Sequence, residues 1–101
     1  MRKEIIDIRL LKVLQVISEN VVRLRGKTMT QKGLAKKARV SKETIIAAEN
    51  NKAISLDSLI KIADALGVPA ADLFITNEIR AEVTWKFKML MDKVDINKIL
   101  K

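Results

Sequence analysis

Residues 30–50 read TQKGLAKKARVSKETIIAAEN. The stretch holds two short helical segments, joined by about three residues, with small or apolar side chains wherever the two must touch. Thr30 is a good N-cap for a helix running to about Ala38, and Ser41 caps a second that continues to about Asn50. Asn51, a residue that tolerates the left-handed conformation, closes it. Ala35 is small enough for close helix approach, Val40 plugs the turn, and Ile45 and Ala48 share the inward face of the second helix. At 100° per residue that face lies opposite Lys42, Glu43, Ile46 and Ala47, which stand together at i, i+1, i+4 and i+5.

Working outward, Ser55 opens a further helix with Leu56, Leu59, Ile60, Ile62, Ala63 and Leu66 spaced for burial, and Gly67 ends it. Pro69 precedes one short turn, AADLF. Upstream, Ile6, Leu10, Val13, Leu14, Ile17, Val21 and Leu24 recur at helical steps, so the first 25 residues read as one long helix or two short ones, stopped at Gly26. A second stripe through Ile5, Ile8, Leu11 and Val16 makes the segment apolar on more than one face. A helix of that kind is either deeply embedded or shared with a partner.

After Phe74 two readings stand. Val83, Trp85, Phe87, Met89 and Met91 alternate as a half-buried strand would, whereas Ile79, Val83, Phe87, Leu90 and Val94 fit a helix, towards which NEIRAE and MDKVDINKILK lean. The expectation is a mainly all-α chain in three parts: an apolar extension at 1–19, a compact helical domain at 20–75, and a helical or strand appendage at 76–101 that forms a dimer through Trp85, Phe87 and Met89.

Charge narrows the partner. The 101 residues carry a formal +8 with no histidine and no cysteine. Residues 23–52 hold nine cations against Glu43 and Glu49, a local +7, while the flanking segments nearly cancel. A basic block inside a folded core is the electrostatic footprint of a nucleic-acid surface. Without histidine or cysteine the usual zinc ligands and thiol catalysis are absent, and no carboxylate pair or phosphate-cradling glycine loop is present, so neither enzyme activity nor a metal or other cofactor is expected. Charged residues interrupt the N-terminal apolar run, so no membrane span is expected and a cytoplasmic location is.

Taken in order, NVVRLR (20–25), TQKGLA (30–35), VSKETI (40–45), Glu49–Asn50, SLDSLIKIADALGV (55–68) and DLF (72–74) resemble the lambda-repressor-like, or XRE, helix-turn-helix family. The resemblance implies a five-helix DNA-binding domain whose residues 41–50 enter the major groove. By the same resemblance Lys42, Glu43, Ile46 and Ala47 face base edges, Thr30, Gln31, Lys32, Asn50 and Lys52 approach phosphates, and Arg25 and Glu49 form a partly buried ion pair. Three features depart from the family pattern. Arg39 replaces the usual turn glycine, Gly33 replaces a common glutamate, and the loops after Arg25 and Lys52 are each one residue short.

The function expected is a homodimeric transcriptional regulator, a repressor, on double-stranded DNA. The alternative is an antitoxin-type protein that neutralises a protein partner and regulates its own operon.

Overall fold

The computed structural model describes residues 7–93. They form α1 (Ile8–Gly26), α2 (Gln31–Ala38), α3 (Lys42–Glu49), α4 (Leu56–Leu66), a 3-10 turn (Ala70–Phe74) and α5 (Asn77–Lys93). Among the described residues there is no strand. The segment that the sequence left between helix and strand is α5, started by Thr76, whose Oγ1 accepts from the Ile79 N–H at 3.0 Å. Ile5, Ile6 and Val94 lie outside the described residues.

Local chemistry explains most helix boundaries. Thr30, Ser41 and Ser55 each accept a hydrogen bond from the backbone N–H three residues on, satisfying donors that a helix start leaves orphaned. Arg39 adopts φ 62° and Gly67 φ 78°, left-handed conformations that turn the chain out of α2 and α4. At the head of α1, Asp7 caps the helix through the Arg9 N–H. The Arg9 guanidinium, and then that N–H, hold the Asp7 carboxyl below its ordinary pKa.

The core is a small apolar cluster at the centre of four helices and the 3-10 turn. Val21, Leu34, Ile45, Ile62 and Leu73 are fully buried, with Ile17, Leu59 and five alanines around them. The alanines keep α2, α3 and α4 close. Two residues read as buried are not: Leu56 is 67% exposed and Ile60 45%. Leu56 shares the Ala63 stripe but sits in the first turn, where no neighbour covers it, and Ile60 lies 100° round from Leu59 at the edge of the face.

Over the described residues the N-terminal segment is one helix, Ile8–Gly26, and it is not deeply embedded. Its C-terminal half supplies Ile17, Ser18, Asn20 and Val21 to the interior, whereas Ile8, Leu10, Leu11 and Val13 are exposed. At the other end no described element packs along α5, and every residue from Ala81 to Asp92 is exposed. What attaches α5 is a polar knot. The buried Asn20 amide donates to the carbonyls of Leu73 (2.9 Å) and Ile75 (3.0 Å), and its Oδ1 accepts from both Arg23 and Arg80. Two guanidinium groups thus meet at one oxygen, and that of Arg80 also donates to the Asp72 and Ile75 carbonyls.

The left-handed Arg39 gives a stability prediction. An L side chain at that backbone conformation costs about 1 kcal/mol relative to glycine. Arg39→Gly should therefore raise stability by about that amount, seen as a melting temperature roughly 4–8 °C higher, while removing one exposed cation.

Candidate nucleic-acid interface

Everything that orients α3 converges on its two ends. The turn before it is closed by the Arg39 and Val40 N–H groups, both donating to the Ala35 carbonyl, with Val40 packed onto the core. Ser41 then caps the first turn of α3.

At the far end Glu49, with only 5% of its side chain exposed, is gripped by Arg25 through both Nε and Nη2, and Gln31 Nε2 donates to its Oε1 at 2.9 Å. Arg25 Nη1 also donates to the Met29 carbonyl. One carboxylate therefore joins the end of α1, the start of α2 and the end of α3. A second tie is the buried Ser18 hydroxyl, which donates to the Ala48 carbonyl at 2.6 Å and accepts from the Asn51 N–H at 2.8 Å. Asn51 there takes φ 61°.

With both ends held, the inward residues Ile45 and Ala48 are buried, and Lys42, Glu43 and Ile46 are exposed with Ala47 half-exposed beside them. Ile46 is 39% exposed, and none of the described helices covers it. Glu43, Ile46, Ala47, Asn50 and Lys52 together line a shallow concavity. The four residues read as base-facing thus share one outer surface.

The phosphate candidates are arranged less uniformly. Lys32 and Lys52 are exposed, and Thr30, also exposed, uses its hydroxyl to cap α2. Gln31 is half-buried, with one amide N–H committed to Glu49. Asn50 Nδ2 donates to the Ile46 carbonyl at 2.6 Å, so its amide folds back on the helix. Of the nine cations between 23 and 52, only Arg23 and Arg25 are half-buried; the other seven are exposed. The single exposed acid of the block is Glu43.

Sequence reasoning gave no role to Ser18 or Asn20. The available signal was a serine and an asparagine on the buried stripe of an apolar helix, positions where a polar group must find a partner. Nothing local names partners 30 and 53 residues away.

A helix locked into the core by its inner face, entered through a tight turn and open on an outer face among cations, defines a helix-turn-helix DNA-binding domain. The helix-turn-helix family model matches residues 22–73, just over half of the chain, and the chain belongs to this family of DNA-binding transcriptional regulators. A solved structure, the hypothetical transcription factor NHTF from Neisseria, is similar over 82% of this chain and 95% of its own, at 26% identity and a TM-score of 0.67. No curated protein matches the chain. None of the described helices is long and apolar enough to cross a membrane.

The Glu49 cluster makes a sharp prediction. Glu49→Ala leaves Arg25 half-buried without its counter-charge and should cost about 3 kcal/mol in urea denaturation. Adding Arg25→Met should return much of that loss, because the unpaired charge disappears with it. Equal and additive losses in the double-mutant cycle would show that the two side chains act independently.

Proposed function

We propose that the protein is a homodimeric repressor that lays one α3 helix into the major groove at each half of a two-fold operator. The observation that carries this reading is the division of α3: its inner face is consumed by the core, and its outer face has no structural duty. On that face Lys42 reads guanine O6 and N7, and Glu43 accepts from cytosine N4. Ile46 and Ala47 have no hydrogen bonds to offer, but their methyl groups pack against the thymine C5-methyl. Thr30, Gln31, Lys32, Asn50 and Lys52 approach the phosphates.

With only two polar readers per helix, direct readout is modest, and phosphate contacts and DNA shape supply a large share of the binding. The seven exposed cations support that balance. In this reading residues 20–75 bind DNA, 76–101 make the dimer, and the regulator acts in the cytoplasm by occupying DNA rather than by catalysis.

A second reading follows from one observation, the exposed Ile8, Leu10, Leu11 and Val13 on the first turns of α1. In that reading the 1–19 extension seats a toxin partner, and DNA binding serves autoregulation.

Selection from random duplexes at about 150 mM salt, which suppresses purely electrostatic binding, tests the first reading, and co-purification of a small second protein with the chain tests the second. An enriched inverted repeat is expected, with half-sites about one DNA turn apart. Lys42→Ala should weaken binding to that repeat by roughly 1–3 kcal/mol and relax the preference at one base pair. Binding at low salt without enrichment would move the toxin-neutralising reading to the front.

A further inference from the structure

We propose that the homodimer forms by antiparallel pairing of α5 with α5 of a second copy, about a two-fold axis between the levels of residues 84 and 85, on the side of the helix opposite Trp85. The inference rests on the homodimer reading and adds to it the surface, the orientation and the register. Ile79, Val83, Phe87 and Leu90 follow one another at four-, four- and three-residue steps, which places them on one side of the helix. All four are about half or more exposed.

This seam is complementary to its own reverse. Turned end for end about the point between residues 84 and 85, Ile79 meets Leu90 of the second copy, and Val83 falls within one residue of Phe87. Each half of α5 supplies what the opposite half lacks.

Charge selects the same orientation. The N-terminal half carries Glu78 and Glu82, while its only cation, Arg80, is turned inward onto Asn20. The C-terminal half carries Lys86, Lys88 and Lys93 against Asp92. Glu82 and Lys86 pair within one helix at 2.9 Å, and an antiparallel pair sets two such pairs side by side with their signs alternating, while it opposes the two helix dipoles favourably. A parallel pair would bring like halves together. The closed two-fold contact uses the same patch twice and leaves no unsatisfied copy of the seam.

At 17 residues α5 is about 25 Å long. The antiparallel pair therefore puts the two DNA-binding cores at opposite ends of a short rod.

Because the chain has no cysteine, the arrangement can be read covalently in the full-length protein. Both Ile79 and Leu90 are exposed, so the double variant Ile79→Cys/Leu90→Cys should keep the helical content of the parent. Within one chain the two cysteines stand about 16 Å apart along the helix, too far for an internal disulfide. After mild oxidation the bulk of the protein should run as a covalent dimer. Trypsin cuts between the two positions, and mass spectrometry of the dimer should return 79-to-90 linked peptides.

A native dimer by sedimentation that yields 79-to-79 and 90-to-90 links overturns the orientation, and one that yields no links overturns the surface. In both cases the homodimer reading stands. A chain monomeric at micromolar concentration in both native and variant forms overturns the homodimer itself, and this inference with it.

Discussion

The constraint on which the structure depends is the burial of one carboxylate. Glu49 has lost nearly all contact with water, and an ion moved out of water is tolerated only when its lone pairs are met by good donors. Arg25 and Gln31 meet them, one from the end of α1 and the other from the start of α2. The result is positional: α3 cannot rotate or slide without stripping a buried charge of its partners. The Ser18 hydroxyl adds the same restriction at the last turn of α3. Hydrophobic contacts from Ile45 and Ala48 hold α3 against the core but are non-directional. The polar contacts give the helix a single pose.

Reading the sequence was easiest where the signal and its cause are neighbours. Thr30, Ser41 and Ser55 cap helices through bonds three residues long, and Gly67 turns the chain where it stands, so these were legible without knowledge of the fold. The shared outer surface of Lys42, Glu43, Ile46 and Ala47 followed from helical geometry alone. The Arg25–Glu49 pair, by contrast, came from family resemblance, since nothing in spacing joins residues 24 apart. Leu56 and Ile60 were overread because periodicity defines a stripe and says nothing of where the neighbouring helices end. In the α5 segment an alternating pattern overlies a helical one with no glycine or proline to separate them. The packing that would ordinarily choose is missing among the described residues.

Two kinds of surface thus leave the same small core. One is cationic and centred on α2, the turn and α3, where seven exposed lysines and arginines face a single exposed acid. The other is apolar and carried on α5 and the first turns of α1, where side chains as large as Trp85 and Phe87 remain about 60% exposed. A cationic surface keeps its charge in water until a polyanion displaces the counterions, so its interactions weaken steeply with salt. An apolar surface has no such dependence and is unfavourable in water at every ionic strength. The chain separates the two by placing the first on packed helices and the second on helices that project.

The division of α3 has an evolutionary consequence. Substitutions at exposed sites without structural partners usually change stability by no more than about 0.5 kcal/mol, whereas core changes routinely exceed the margin a small domain has. Lys42, Glu43 and Ile46 lie in the first group, and Ile45, Ala48 and Glu49 in the second. The outward residues are free to drift between duplicated copies of the gene without bringing either copy near its folding threshold, so descendants of one ancestor could diverge in what they recognise while keeping the same skeleton.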